Sequence, residues 1–124
     1  MLSVKKLIYK ILSLPMVVEE GTVGTWMYRK WSDGRAEAWG HKNQAQYAIT
    51  TSYGNGFYGA LTNFSFPTGV FTYVRGAQVT PMDTSGTWTG INSVTNEYVS
   101  WYPFCAKSGT YIVSYDVYVD GRWK

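Results

Sequence analysis

The fold is decided by the stretch Gly24-Thr-Trp-Met-Tyr-Arg-Lys-Trp-Ser-Asp-Gly-Arg-Ala-Glu-Ala-Trp-Gly40, which places aromatic-rich segments on both sides of Asp33-Gly34. An Asp-Gly pair between two such segments is a strong signal for a β-hairpin. Residues 25–31 and 35–41 are therefore expected to form paired antiparallel strands. The stretch indicates an all-β protein.

This hairpin has two possible registers, and they differ in which cation lies opposite Glu37. A two-residue loop places Lys30 opposite Glu37, whereas a three-residue loop with a left-handed Gly34 places Arg29 there. Both registers predict a cross-strand ion pair. We therefore expect a structural role for Glu37, because catalysis would need a second group placed opposite it.

Composition supports a single β-domain. The chain has 124 residues, of which 18% are aromatic and 15% charged, and it lacks the low hydrophobicity of disordered proteins. Its formal charge of +3 comes without a long basic run, so no nucleic-acid partner is expected. Cys105 is the single cysteine, which excludes an internal disulfide and makes a small core residue the expectation.

The first fifteen residues predict an amphipathic helix. Apolar residues recur at Val4, Leu7, Ile11 and Leu14, and Pro15 ends the pattern. Lys10 interrupts the apolar run, so neither a signal peptide nor a membrane span is expected. So short a helix is marginal alone and must pack on its own domain or on copies of itself. We therefore divide the chain into residues 1–15, an oligomerisation helix, and residues 16–124, a β-domain.

The remaining residues read as short strands separated by turns, a spacing typical of a sandwich or barrel. Hairpin turns are expected at Gly54-Asn55-Gly56 and at Lys107-Ser108-Gly109. The further strands are expected at residues 46–52, 57–61, 70–74, 77–80, 87–91, 98–104 and 111–119. Trp39, Trp101 and Phe71 are the aromatic residues expected to govern core stability.

The sequence offers little catalytic chemistry. The sequence contains no nucleophile-elbow motif that would supply a catalytic serine for the single histidine, His41, so a structural role is expected for it. No spacing of metal ligands and no cofactor motif is present, so neither a metal nor a cofactor is predicted. Asp83, Glu97 and Asp116 have no assigned role, and nothing pairs two acids as glycoside hydrolysis requires. We expect no enzymatic activity.

The loop around Gly54 combines a flexible backbone with aromatic rings, a mixture that suits ligand binding. Such rings beside polar groups suit sugars and protein interfaces alike. The alternative is that Phe57 belongs to the core and the tyrosines are half-exposed. The predicted ligand-facing surface consists of this loop and the first hairpin turn. Its candidate residues are Tyr53, Asn55, Phe57, Tyr58, Asp33 and Arg35.

Three sequence motifs, taken in order, resemble the C-terminal module of bacteriophage tail and tail-fibre proteins over residues 16–124. The first is Gly24-Thr-Trp-Met-Tyr-Arg-Lys-Trp with Ala36-Glu-Ala-Trp-Gly40. The second is Phe66-Pro-Thr-Gly-Val-Phe71, and the third is the ending Gly121-Arg-Trp-Lys124. The pattern is also similar to the H-type lectin fold found in tail-fibre tips.

The resemblance implies a small antiparallel β-sandwich that forms a homotrimer and sits in the tail of a virion, after synthesis in the bacterial host cytoplasm. It implies a receptor-binding module whose partners are other tail proteins and a host cell-surface receptor, with a glycan as the expected ligand. Two alternatives stay open. The module could be a structural cap that only holds the trimer together, or a polysaccharide-degrading enzyme.

Overall fold

The computed structural model describes residues 3–12, 14–83 and 85–124 of the chain. It contains one helix, α1 (Val4–Leu12), followed by ten strands. The strands are β1 (Val17–Val23), β2 (Trp26–Trp31), β3 (Arg35–Ile49), β4 (Thr51–Tyr53), β5 (Gly56–Tyr58), β6 (Thr62–Ser65), β7 (Tyr73–Met82), β8 (Trp88–Val94), β9 (Tyr98–Cys105) and β10 (Gly109–Arg122).

The strands form two antiparallel sheets. Sheet A has the order β1-β2-β3-β10-β7, and sheet B has the order β4-β5-β9-β6, with β8 also paired to β9. This architecture confirms the predicted all-β sandwich preceded by one short helix. Met1, Leu2 and Ser13, which belong to the predicted helical segment 1–15, lie outside the described residues.

The core lies between the two sheets. Along β9 and β10, buried residues alternate with more exposed ones, so each strand turns one apolar face toward this core. Trp101 of β9 and Tyr115 of β10 meet there edge to face, with ring centroids 4.9 Å apart, and both are fully buried. Cys105 is 3% exposed, as expected for a small core residue.

The first hairpin adopts the three-residue loop. Arg29 is the cross-strand partner of Glu37, and the N–H of Gly34 donates to the carbonyl of Trp31 at 3.0 Å. Gly34 has φ +97°, a conformation that side chains rarely adopt, and a Cβ there would collide with the guanidinium of Arg122. Glycine is therefore required both by the turn and by the packing of the chain end against it.

Several strand predictions differ from the structure. β3 continues without a break to Ile49, where two strands were expected, and β1 and β6 were not predicted. The turn at 54–56 joins the paired strands β4 and β5, which confirms that hairpin. The turn at 107–109 is not a hairpin turn, because β9 pairs within sheet B and β10 within sheet A.

Helix α1 leaves apolar side chains exposed in the single chain. Val4, Leu7 and Ile8 are 74%, 46% and 51% exposed. Within the part of the chain that the structure describes, no helix is long and apolar enough to cross a membrane.

Candidate functional site

Five aromatic side chains gather on the outward face of sheet B. Alternation along β9 buries Trp101 and Cys105 and directs Tyr102 and Phe104 to the other face, where the neighbouring strands add further rings. We call this cluster the aromatic platform. Its members are Tyr53, Tyr58, Trp88, Tyr102 and Phe104.

Phe104 is the centre of the aromatic platform. The Trp88 ring stacks on it with centroids 6.0 Å apart and planes 8° from parallel, and Tyr53 meets it edge to face at 5.7 Å. Gly90 of β8 makes room for this arrangement, since a Cβ there would lie 2.7 Å from a Phe104 ring carbon. The ring positions are thus fixed by packing and by the absence of a side chain at position 90.

A shallow cavity of about 380 Å³ opens on the platform. The aromatic residues Tyr53, Trp88 and Phe104 line it, and the rest of the lining is Asn55, Gly56 and Ala106. Tyr53 is 67% exposed and Trp88 47% exposed, so both rings face solvent. Ring faces beside an amide can hold a ligand that has one apolar and one hydrogen-bonding side.

The structure places three of the six predicted ligand residues at this platform. Tyr53 and Asn55 line the cavity, and Tyr58 packs against Tyr53 and Phe104. Phe57 lies away from the platform, because it pairs with buried Cys105 and so points to the opposite face of the sheet from its neighbour Tyr58.

Asp33 and Arg35 lie elsewhere, and the structure does not bring the first hairpin turn together with the loop around Gly54. Arg35 begins β3, whereas Ile49 at the other end of that 15-residue strand precedes the platform. At about 3.3 Å per residue, an extended strand of this length spans roughly 45 Å. The Nε of Arg35 donates to Asp33 at 2.9 Å, and the turn is a separate site.

Trp88, Tyr102 and Phe104 were missed as site residues, although their strands were predicted. A signal was present in β9, where aromatic residues occupy adjacent positions and so must appear on both faces. What the sequence did not reveal was that β4, β5 and β8 would bring other rings alongside.

The outward face of sheet A is polar and aromatic. The predicted ion pair of Glu37 was wrong, because Arg29 pairs with Glu20 at 3.2 Å instead. The Glu37 carboxylate accepts hydrogen bonds from Trp31 Nε1 at 3.1 Å and from the Tyr118 hydroxyl at 2.9 Å. Burial, and next the bond to Glu37, raise the pKa of Tyr118 to about 12.

The expectation that Trp39 belongs to the core was also wrong. Trp39 lies on this outward face, half-buried, with the Arg29 guanidinium 5.6 Å from its ring and Tyr118 at 5.7 Å. The small residues Ala38 and Gly40 face the interior in its place. Gly40 leaves room for Trp26, whose ring would lie 2.6 Å from a Cβ at position 40.

Two clefts, of about 490 and 460 Å³, open on this face, and Tyr118 lines both of them. His41 lines the larger cleft, and its Nδ1 lies 2.8 Å from the Asp116 carboxylate. Among residues 3–12, 14–83 and 85–124, no group of three or more histidine, cysteine or acidic side chains is placed to hold a metal ion.

The fold and these surfaces define a two-sheet antiparallel β-sandwich with an outward aromatic platform. Neither a protein-family model nor a curated protein matches the sequence. The solved structure of an N-truncated R1-type pyocin tail fibre is similar to this chain over 98% of each chain, with a TM-score of 0.67 and 11% sequence identity. At this identity the likeness establishes a common fold.

Proposed function

We propose that the protein is a tail-fibre module of a phage or phage-like particle and that it binds the surface of the host cell. The support is the likeness to the pyocin tail fibre, which extends over nearly all of both chains, together with the tail-protein motifs around Asp33-Gly34 and at the C-terminus. The module would be part of the virion tail, associated with other tail proteins after synthesis in the host cytoplasm.

We further propose that the receptor is a carbohydrate, bound at the aromatic platform as in a lectin. The observation that carries this proposal is the exposed Trp88 ring stacked on half-buried Phe104, with exposed Tyr53 lining the same cavity. The apolar C–H face of a sugar ring packs on such rings, and the amide of Asn55 supplies both a donor and an acceptor for hydroxyl groups.

Binding of fluorescent protein to intact host cells tests the proposal. Trp88→Ala and Tyr53→Ala should lower cell binding at least about tenfold, because truncating an aromatic hot-spot residue costs about 2 kcal/mol or more and a tenfold change corresponds to about 1.4 kcal/mol. Ile112→Ala is the matched control, since Ile112 is a large apolar side chain that is 57% exposed but lies on β10 of sheet A, outside the described cavities. Purified cell-wall glycan should compete with cells for the wild type.

Normal cell binding by both platform variants, with melting temperatures unchanged, would contradict the platform as the site. If host surface protein competes with cells for the protein and glycan does not, the proposal of a carbohydrate receptor is contradicted, but the platform as the binding site is not. Each variant's melting temperature must be measured, so that a loss of binding is not confused with unfolding.

A second candidate role is structural, as a cap that holds a homotrimer together. The observation that favours it is the exposed apolar stripe of α1, formed by Val4, Leu7 and Ile8. Burying this stripe between three copies would remove apolar surface from water. Binding and trimerisation are compatible, because the platform and the helix involve different residues.

We propose binding without hydrolysis. Glu37 and Asp120 are cross-strand partners and line the same cleft, as two glycosidase carboxylates would. Glu37 is already occupied by Trp31 and Tyr118, and Asp120 by Arg75. Incubation with purified host polysaccharide should release no reducing ends; release that is lost in Glu37→Gln would contradict this proposal.

A further inference from the structure

Three arginines surround the 460 Å³ cleft at one end of sheet A, which we call the arginine cleft. They are Arg35, Arg75 and Arg122, and the cleft also contains Glu37, Asp120 and Tyr73. The side chains of Arg35 and Arg75 are 56% and 77% exposed. The cleft is remote from the aromatic platform, which lies on the other sheet.

The register of the sheet forces like charges together at this cleft. Arg35 of β3 and Arg122 of β10 are direct cross-strand partners, and Arg122 is the partner of Tyr73 on β7. Like charges directly opposite each other on neighbouring strands destabilise a sheet. The Asp33 carboxylate, which pairs with Arg35 at 2.9 Å, offsets part of that repulsion, and a bound anion would offset more of it.

Each guanidinium is oriented by the protein but retains hydrogen-bond donors. The Nε of Arg35 donates to Asp33, and Arg122 donates from Nε to the carbonyl of Lys124 and from Nη2 to the carbonyl of Asp33. Arg75 donates to Asp120 through Nε at 2.6 Å and also pairs with it through Nη2. Since each guanidinium has five N–H groups, at least three remain on each.

Each carboxylate beside the three guanidinium groups is already occupied, and that of Asp33 pairs with Arg35 at 2.9 Å. Three guanidinium groups line it against two carboxylates, Glu37 and Asp120. Glu37 is occupied by donors from Trp31 and Tyr118, and Asp120 by Arg75. The donors still free in the cleft are therefore mainly those of the arginines.

We propose that the arginine cleft binds the anionic group of an acidic sugar, either a carboxylate or a phosphate. Both groups match the planar fork of a guanidinium, which can hold two oxygens at once. This site is separate from the platform. That a sugar carries the anion rests on the proposed function, whereas anion binding at the cleft can be tested apart from it, with small molecules on the purified protein.

Nuclear magnetic resonance titration of the full chain with three probes tests the site: glucuronate, glucose 6-phosphate and neutral glucose. The indole N–H of Trp31 lies in the cleft and provides the reporter signal. This signal should shift with glucuronate, with glucose 6-phosphate or with both, and it should not shift with glucose. The probe that binds more tightly identifies the preferred anion. Added salt should weaken binding, because charge–charge attraction to exposed groups is screened.

Arg35→Gln and Arg75→Gln should each weaken binding of the anionic probe about tenfold. Arg29→Gln is the matched control, since it removes the same charge from the same face of sheet A but lies outside the cleft and pairs with Glu20. Any one of three results would overturn the proposal. The three variants could bind as well as the wild type, or Arg29→Gln could lose as much binding as the cleft variants. Glucose could also shift the Trp31 signal as much as the acidic sugars do.

Discussion

The hydroxyl of Tyr118 donates a 2.9 Å hydrogen bond to the carboxylate of Glu37, which lies 81 residues earlier in the chain. Tyr118 pairs with Trp39 in the ladder between β3 and β10, two residues along from Glu37. The bond therefore ties the first hairpin to the last strand on the outward face of sheet A. Trp31 Nε1 donates to the other carboxylate oxygen, so the link extends to β2.

Because of the Tyr118 phenol, the stability of the fold should fall at alkaline pH. A folded-state pKa of about 12 for Tyr118, set mainly by burial, exceeds the unfolded value near 10. Its stabilising contribution is therefore complete below about pH 10 and is lost as the pH rises toward 12. The fall in melting temperature over this range should be smaller in Tyr118→Phe than in the wild type.

The control for this effect is Tyr73→Phe, which changes an exposed tyrosine on the same sheet. Tyr115, whose pKa burial also raises to about 12, should keep part of the alkaline loss in the Tyr118 variant. An identical pH dependence in wild type and Tyr118→Phe would show that this phenol does not contribute.

A comparison of two tryptophans measures where the core lies. Trp101 is fully buried against Tyr115, so Trp101→Ala should lower the free energy of unfolding by about 3–5 kcal/mol. Trp39→Ala should cost about 1–2 kcal/mol, because it loses contacts with Arg29 and Tyr118 without leaving an enclosed cavity. Urea unfolding gives both values; equal losses would place Trp39 in the core after all.

Much of the fold could be predicted from local sequence patterns. The Asp33-Gly34 turn predicted the hairpin, and the two alternative registers included the observed one. The turn residues alone did not decide between them, since Gly34 can adopt a left-handed conformation in either loop. Trp39 was misplaced because alternation along β3 shows that two faces exist but not which one is interior.

The candidate site was predicted only in its local part. Tyr53, Asn55 and Tyr58 lie within one short hairpin, so sequence distance alone was enough to group them. Trp88 and Phe104 join them only through the pairing of β8 and β9 and of β5 and β9. Such long-range pairing depends on which strands share a sheet, and a single sequence does not specify it.

Gly90 controls the geometry of the aromatic platform. Gly90→Ala should displace the Phe104 ring, since the new Cβ would lie 2.7 Å from it, and should therefore weaken cell binding more than stability. The matched control is Gly76→Ala on β7, where the nearest atom, Asp120 Oδ1, would be at 3.7 Å, an ordinary contact. Binding by the two variants should be measured together with their melting temperatures. Unchanged binding in Gly90→Ala would mean that the Phe104 ring position is unimportant.

Removal of residues 1–15 should separate assembly from folding. All residues of the core cluster lie in the sequence from Trp26 of β2 to Val119 of β10, so none belongs to residues 1–15. The truncated chain should therefore remain folded and give a β-type circular dichroism spectrum.

The same truncation tests assembly through the helix. If the exposed stripe of Val4, Leu7 and Ile8 holds copies together, sedimentation equilibrium should show a trimer for the full chain and a weaker association after truncation. Leu7→Lys alone should have a similar effect, because a charge cannot be buried in such an interface without cost. Lys6→Glu is the control that changes charge outside the stripe. A full chain that is monomeric at micromolar concentration would exclude the helix as the assembly element.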